Sequence, residues 1–138
     1  MSKDRNAPII EEFRANAGKV GGPFERVPLL LLHTTGARTG LPRTNPLAYL
    51  DDGDRFVVIA SKGGAPSNPD WFHNLVAHPN VTVEVGTQTI PARAVVVTGP
   101  ERDELYARQA ERLPAFADYE RRTKRTIPVI ALEPVRFS

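Results

Sequence analysis

The chain contains no cysteine and no long apolar run, and both absences limit what it can be. Without cysteine there is no disulfide framework, no thiol nucleophile and no thiolate metal site. Such a composition is typical of a reducing compartment. No apolar stretch approaches the ~20 residues that a transmembrane helix needs, and the polar start of the chain lacks the apolar core of a signal peptide. We therefore expect a cytoplasmic protein.

The patterns of common hydrolytic enzymes are missing as well. His73 and His78 are five positions apart, whereas residues three or four apart share a helix face, so the histidines form no metal-binding pattern. There is no G-x-S-x-G nucleophile elbow and no isolated carboxylate pair of the kind that glycosidases use. We expect no metal site, and any catalysis would depend on a reactive group brought by a cofactor.

What the chain does have is a series of short β-type segments joined by turns. Asp52-Gly53 is a strong hairpin signal, because glycine tolerates the positive φ of a tight turn. The predicted strands are residues 28–34, 44–50, 55–60, 81–85, 89–98 and 127–132. The predicted helices are residues 9–17, 69–77, 100–112 and 115–123, the second with Asn68 as its N-cap. This order predicts a mainly β (α+β) fold, an antiparallel barrel of about six strands with short helices inserted.

The 138 residues are enough for one domain with a sizeable core. We expect a flexible terminus at residues 1–8 and a single domain over residues 9–138. Four apolar residues stand in a polar setting near its start: Ile9, Phe13, Val20 and Phe24. This segment could form a lid over a ligand or make a weak peripheral contact with a membrane. The lid is favoured, because a membrane-binding helix usually has a longer apolar face and more lysine or arginine.

The most informative segment is Ser61-Lys62-Gly63-Gly64, which closes the apolar run 56–60. Glycine lets the backbone approach a ligand closely, and converging amides beside a lysine suit a phosphate. Arg38 and Arg43 lie upstream, in and just after a turn bounded by glycines. We predict that these basic residues hold an anionic ligand, and an ordinary surface turn with a solvated lysine is the alternative.

Two further features each allow two interpretations. Trp71 follows this segment; such a residue most often packs in a core, but here it could also lie under a flat ligand ring. A second basic group comprises Arg121, Arg122, Lys124 and Arg125. We interpret it as a solvated helix face. Nucleic-acid binding is the rival, but the surface aromatics of a base-stacking platform are missing, so we expect no nucleic-acid partner.

Several motifs follow one another in a fixed order: Thr34-Thr35-Gly36-x-Arg38-Thr39-Gly40-x-Pro42-Arg43-Thr44, Pro46-Leu47, Asp52-Gly53-Asp54-Arg55, Ser61-Lys62-Gly63-Gly64 and Pro69-x-Trp71-x-x-Asn74-Leu75. The segments Phe116-Ala117-Asp118-Tyr119-Glu120 and Ile127-Pro128-Val129 continue the pattern. Together, over about residues 9–134, they closely resemble the deazaflavin-dependent nitroreductase family. Its members are small split β-barrel proteins of actinobacteria and related organisms that bind coenzyme F420. The resemblance therefore implies a split β-barrel with F420 as its cofactor.

The resemblance assigns the anion site residue by residue. It implies that Lys62, with the Gly63 and Gly64 amides, holds the cofactor phosphate. It further implies that Arg38 and Arg43 neutralise the phosphate and the oligoglutamate tail, a use that suits the forked donors of arginine. Because FMN carries a phosphate but no acidic tail, the two arginines favour F420. A split barrel that uses FMN is the alternative.

The resemblance also implies a pocket for the flat deazaflavin ring. It would be lined by Pro46, Leu47, Ala60 and Ser61 and closed by Trp71 and Asn74. The predicted catalytic residues are Ser61 and Tyr119, which could hydrogen-bond the ring or the oxygen of the acceptor. The implied activity is that of an F420H2-dependent oxidoreductase, which passes hydride to a quinone, enone or nitro compound. A non-catalytic F420 carrier is the second alternative, and a monomer and a homodimer are both compatible with the sequence.

Two positions depart from the family pattern. Ala37 stands where many relatives carry an arginine, which predicts a weaker tail contact. Phe116 stands where some relatives have a second active-site tyrosine. The lost hydroxyl makes the substrate pocket more apolar and argues against the reduction of nitroimidazoles in particular.

Overall fold

A computed structural model describes residues 6–135 of the chain. The helices are α1 (Ala7–Ala15), α2 (Asp70–Ala77), α3 (Gly99–Arg112) and α4 (Ala115–Arg122). The strands are β1 (Leu29–Thr35), β2 (Pro42–Ala48), β3 (Leu50–Asp52), β4 (Arg55–Ile59), β5 (Asn80–Val85), β6 (Gln88–Val97) and β7 (Val129–Pro134). Two short 3-10 turns lie at Gly22–Phe24 and Lys62–Gly64. Of the predicted flexible terminus, residues 1–5 lie outside the described residues, and residues 7 and 8 belong to α1.

The seven strands within residues 6–135 form one antiparallel sheet in the order β2-β1-β5-β6-β7-β4-β3. The two edge strands, β2 and β3, are neighbours in sequence, with only Tyr49 between them. The sheet must therefore curl until its edges approach each other, and it forms a half-barrel. The predicted antiparallel α+β barrel is confirmed.

One strand more is present than the sequence predicted. The predicted strand 44–50 is divided, so that Pro42–Ala48 pairs with β1 while Leu50–Asp52 pairs with β4. The reason is the hairpin turn at Gly53, whose φ is +67°. This turn places Asp52 opposite Arg55 and directs the short strand to the other edge of the sheet.

The run of four leucines in β1 is apolar throughout because both faces of this strand are buried. Leu30 and Leu32 face the barrel interior, where they pack with Trp71 and with residues of β4, β5 and β7. Leu29 and Leu31 face the other way and pack against α1 and the segment that follows it. Each such side chain contributes roughly 1.5–3 kcal/mol on burial, so this strand anchors the fold.

The N-terminal segment packs on the outer face of the sheet. Phe13 is 1% exposed and Val20 is buried beside it, against Leu29 and Leu31, with Ile9 and Phe24 half-buried at the margin. Arg14 fixes the helix to β5 through paired hydrogen bonds to Glu84, at 3.1 and 2.7 Å. The apolar side chains proposed for a lid or a membrane contact are therefore used for packing within the fold. No helix within residues 6–135 is long and apolar enough to cross a membrane.

Helices α3 and α4 also pack on the outer face of the sheet, over β4 and β7. Leu105 and Tyr106 of α3 are both buried. The Tyr106 hydroxyl donates a hydrogen bond of 2.5 Å to the carbonyl of Phe116 in α4. Burial raises the pKa of Tyr106 to about 12, so the hydroxyl stays protonated and continues to donate at neutral pH.

Candidate functional site

The segment that the sequence singled out forms a left-handed turn. Ser61 has right-handed backbone angles (φ −75°, ψ −37°), and φ is +48° at Lys62, +65° at Gly63 and +82° at Gly64. A right-handed residue followed by a left-handed one is the backbone pattern of a nest, in which successive N–H groups converge on an anion. A non-glycine residue in the left-handed region costs roughly 1–2 kcal/mol. The strained residue is Lys62, the predicted phosphate ligand.

The hydrogen bonds of this turn decide which amides remain available. The Gly64 amide donates to the Ser61 carbonyl at 2.9 Å, and the Ala65 amide donates to the Lys62 carbonyl at 3.1 Å. The turn's own bonds therefore leave out the amides of Lys62 and Gly63. The sequence predicted the Gly63 and Gly64 amides as phosphate donors, but that of Gly64 is already used inside the turn.

Gly64 is also a contact point between the turn and α4. A Cβ atom added there would lie 2.9 Å from the Tyr119 carbonyl oxygen and 3.0 Å from the Cβ of Arg122. Such distances are below ordinary contact, so only glycine lets the helix approach the turn this closely. The close packing of α4, which comes much later in the chain, thus fixes the shape of the turn.

The three predicted cations line two adjoining clefts. One cleft, of about 390 Å³, has Arg43, Lys62 and Trp71 in its wall. The other, of about 560 Å³, has Arg38 and again Arg43. Three side chains belong to both clefts: Arg43, Asp70 and Asn74. Side chains from the 36–40 turn, β2, the Lys62 turn and α2 therefore meet at one place.

This place carries an excess of positive charge. Within residues 6–135, none of the ion pairs involves Arg38, Arg43 or Lys62. Lys62 Nζ donates a hydrogen bond to the Ser67 hydroxyl at 3.3 Å. Asp70 is the one carboxylate among the described lining residues of the two clefts. Clustered charge of one sign in a concave site raises the local concentration of oppositely charged ligands.

Asn74 holds the turn that carries Arg38. Its side-chain oxygen accepts a hydrogen bond from the Ala37 amide at 2.9 Å, and its side-chain nitrogen donates to the Thr34 hydroxyl at 3.2 Å. Both groups of the amide are thus engaged, and the residue is buried. The sequence predicted that Asn74 would close the ring pocket. The structure shows that it lines the cleft and also braces the arginine-bearing turn.

The predicted ring-pocket residues lie around the same region. Trp71 is 7% exposed and packs with Leu30 and Leu32 in the barrel core, yet it also lines the smaller cleft. Core packing of this residue is confirmed, and its place under a flat ligand ring stays a prediction. Pro46 and Leu47 are half-buried on edge strand β2, next to the lining residue Asn45, and Ala60 and Ser61 are buried at the end of β4.

Tyr119, predicted as catalytic, reaches this region through its backbone. Its carbonyl packs on Gly64, whereas its ring stands edge-on to Phe116, with 5.3 Å between ring centroids. Both rings border the apolar cluster beneath α3 and α4. The described linings of the two basic clefts include Lys62 and Trp71 but not the Tyr119 ring.

One residue of the site was misjudged from the sequence. Arg125 was grouped with a solvated helix face, but it lies beyond the end of α4 and its side chain is turned inward. It donates hydrogen bonds to the segment 60–68, and burial lowers its pKa. Asn68, predicted to cap α2, accepts one of these bonds, and the N-cap position falls on Pro69. No local sequence pattern predicts such a contact between residues about sixty positions apart.

Comparisons with known proteins identify the family of this chain. A family model described as F420H(2)-dependent quinone reductase matches residues 8–134. An F420H(2)-dependent quinone reductase of Mycobacterium tuberculosis is 40% identical over 126 residues, which are 87% of this chain and 83% of that protein. The solved F420-H2 dependent reductase FDR-A is 36% identical, with a TM-score of 0.71, over 77% of this chain and 94% of that one. A solved structure described as a domain-swapped dimer is 33% identical, with a TM-score of 0.73, over 93% of this chain and 94% of that one. The resemblance seen in the motifs is confirmed, and the chain belongs to the F420H2-dependent quinone reductase family.

Proposed function

We propose that this protein is an F420H2-dependent oxidoreductase that transfers hydride to a quinone or a related electron-poor acceptor. The observation that supports this most strongly is the meeting of Arg38, Arg43 and Lys62, all without acidic partners among the described residues, beside a nest of backbone amides. A nest with an adjacent lysine suits a phosphate, and two arginines suit the carboxylates of an acidic tail. The donor set therefore fits coenzyme F420.

We assign the phosphate to Lys62 and to the amides of Lys62 and Gly63. The Gly64 amide is excluded from this role, because it donates to the Ser61 carbonyl. Arg43 lines both clefts and can therefore lie between the phosphate and the tail, whereas Arg38 lines only the larger cleft and is assigned to the tail.

When bound, reduced F420 supplies a hydride from C5 of its ring. The protein's part is to hold the ring at one position and to keep water away from it. Trp71, Pro46 and Leu47 offer apolar surface for the ring, and the Ser61 hydroxyl is proposed to hydrogen-bond it. Tyr119 is proposed to bind the oxygen of the acceptor and to deliver a proton to it. Loss of acceptor reduction in Tyr119→Phe with normal cofactor affinity would support that role, and unchanged turnover would remove it.

Quinones are favoured among the acceptors. The Phe116 ring, which has no hydroxyl, packs against the Tyr119 ring with 5.3 Å between the ring centroids. A pocket with one hydroxyl suits a flat apolar acceptor better than a polar nitro compound. We expect menadione to be reduced faster than a nitroimidazole, and restoring the hydroxyl with Phe116→Tyr should narrow the difference.

A cofactor titration tests the proposal directly. Trp71 is the only tryptophan and lines the cleft, so its fluorescence reports binding from a single position. We expect saturable quenching by F420 and weaker binding of FMN, which lacks the acidic tail. Arg43→Gln should weaken F420 binding, whereas Arg93→Gln, at an exposed position on β6, should not. Tight binding of FMN with none of F420 would overturn the choice of cofactor.

The rival is a non-catalytic protein that stores F420. Hydride transfer needs few protein groups, so the fold alone does not distinguish the two. A single-turnover experiment does: bound F420H2 should be oxidised when menadione is added. An inert complex would favour the carrier.

Assembly and location are proposed only in outline. The relative that is a domain-swapped dimer makes a homodimer worth testing, and sedimentation would distinguish it from a 15.2-kDa monomer.

A cytoplasmic location is proposed from the absence of cysteine. A weak peripheral membrane contact is the less favoured option, because Phe13 and Val20 are packed on the sheet. If only the intact chain and not a chain lacking α1 floated with vesicles, that preference would be wrong.

A further inference from the structure

Arg125 gives four hydrogen bonds to the segment that forms the nest. Its Nε donates to the Ala65 carbonyl at 2.8 Å, and its Nη2 donates to the Ser61 carbonyl at 2.7 Å. Its Nη1 donates to the Ala60 carbonyl at 3.2 Å and to the side-chain oxygen of Asn68 at 2.7 Å. A guanidinium has five N–H donors, so nearly all of its capacity is used on this one segment.

These bonds orient the amides on the other side of the same peptide units. A peptide unit is planar and trans, so its carbonyl and the next N–H point in opposite directions; no cis peptide occurs within residues 6–135. Arg125 holds the carbonyls of Ala60 and Ser61. The amides of Ser61 and Lys62 must therefore point away from the guanidinium. Both amides belong to the nest that begins at Ser61, and the Lys62 amide is one of the two that we assign to the phosphate.

The charge of Arg125 has no acidic partner among the described residues. Its neighbour Arg121 pairs with Asp118, and Arg102 pairs with Asp103 and Glu120, but the partners of Arg125 are carbonyl and amide oxygens. A partly buried cation that is solvated only by neutral oxygens adds to the positive potential at the turn. Its fork matches four acceptors at once, which a lysine could not do.

We propose that Arg125 is a positioning residue that presets the nest for the cofactor phosphate, without touching the cofactor itself. This inference rests on the proposed function, since it assumes that the nest receives the phosphate of F420. Arg125 acts from behind the turn, by fixing the carbonyls so that the amides face the cleft. Its effect should therefore be specific for the phosphate-bearing part of the ligand.

The test compares two ligands and two variants. The ligands are F420 and its deazariboflavin core, which has the same ring but neither phosphate nor tail. Arg125→Lys keeps the charge and loses the fork, and Lys124→Met removes a neighbouring exposed charge as the matched control. We expect Arg125→Lys to bind F420 about 10-fold more weakly, or ~1.4 kcal/mol, with little change for the core. The KM for F420H2 should rise by a similar factor while kcat at saturating cofactor stays near that of the wild type.

Each outcome decides the question. No loss in Arg125→Lys, or equal losses for F420 and the core, would overturn the proposal. If Arg125→Lys does not fold, as judged by circular dichroism, Asn68→Ala removes one acceptor of the same fork. It should show a smaller loss confined to F420, and a loss shared by both ligands would again overturn the inference. If the wild type binds neither ligand, the proposed function itself fails, and this result is distinct from a wild type that binds F420 with no dependence on Arg125.

Discussion

Replacing Gly64 with alanine should destabilise the protein much more than the same change at Gly63. Both glycines are left-handed, with φ of +82° and +65°, and alanine in that region costs roughly 1–2 kcal/mol. A Cβ at Gly63 meets nothing within 4 Å, so the backbone cost is the whole effect there. At Gly64 the new methyl would lie 2.9 Å from the Tyr119 carbonyl oxygen, a backbone atom that cannot rotate away.

The steric part of the cost at Gly64 can be bounded. Forcing an extra methyl group into a packed contact typically costs about 1–3 kcal/mol. Added to the backbone term, this gives about 2–5 kcal/mol for Gly64→Ala against about 1–2 kcal/mol for Gly63→Ala. Relief would require α4 to move away from the turn. Since α4 is held by the Tyr106 hydrogen bond to Phe116, this movement also costs energy.

Urea unfolding of the two variants and the wild type measures the difference. We expect a lower midpoint for both variants with an unchanged slope, because the surface exposed on unfolding is the same. The free energy of unfolding of Gly64→Ala should be lower than that of Gly63→Ala by at least ~1 kcal/mol. Equal destabilisation of the two variants would show that α4 does not pack on the turn, and the account of the site's shape would then be wrong.

Three further predictions concern charge. Lys62→Ala should weaken F420 binding by roughly 1.5–3 kcal/mol, the range for a hydrogen bond to a charged group; unchanged affinity in a titration would remove Lys62 from the site. Asp70→Asn should strengthen F420 binding by about 1 kcal/mol, because it removes a carboxylate that repels an acidic ligand, and the same titration with the phosphate-free core should show no gain. The hydrogen bond from Arg14 lowers the pKa of Glu84 below its ordinary value of 4.5. The stability from this pair is therefore fully present above pH 4.5 and is lost as the pH falls through the lowered value. Glu84→Gln should lack this part of the fall in the free energy of unfolding on acidification. Unfolding curves of the wild type and the variant, measured across this pH range, test the prediction. The same pH dependence in both proteins would contradict the assignment.

The parts of the fold that were predictable depend on local rules. Asp52-Gly53 required a hairpin, and the structure has one there with Gly53 left-handed. The four leucines of β1 had to be buried, although the sequence did not reveal that α1 covers one face and the barrel core the other. The nest could be predicted because two glycines beside a lysine, at the end of an apolar strand, are typical of a turn that binds an anion. The other residues around the nest could be predicted from the family motifs but not from sequence spacing alone.

The parts that were not predictable depend on which strands become neighbours. Arg125 meets Ser61 because β7, which follows it, pairs with β4, which ends just before the turn. Asn74 meets Ala37 because α2 lies against β1. Both contacts join residues more than thirty positions apart. In each case the neighbouring sequence gives no sign that the polar side chain makes such a contact. Without the sheet order, Arg125 could not be distinguished from the solvated arginines beside it.

The side chains of Asn74 and Arg125 explain how turns rich in glycine can form the ordered anion site that we propose. Arg38 and Lys62 stand on turns rich in glycine, whose backbones lose much conformational entropy when they are fixed. Asn74 holds the first turn from α2, and Arg125 holds the second from the segment between α4 and β7. The ordering is thus achieved on folding, before any ligand arrives, so less of the binding energy is lost on binding. A site built in this way can keep unpaired cations at its surface, because their positions do not depend on the anion that they attract.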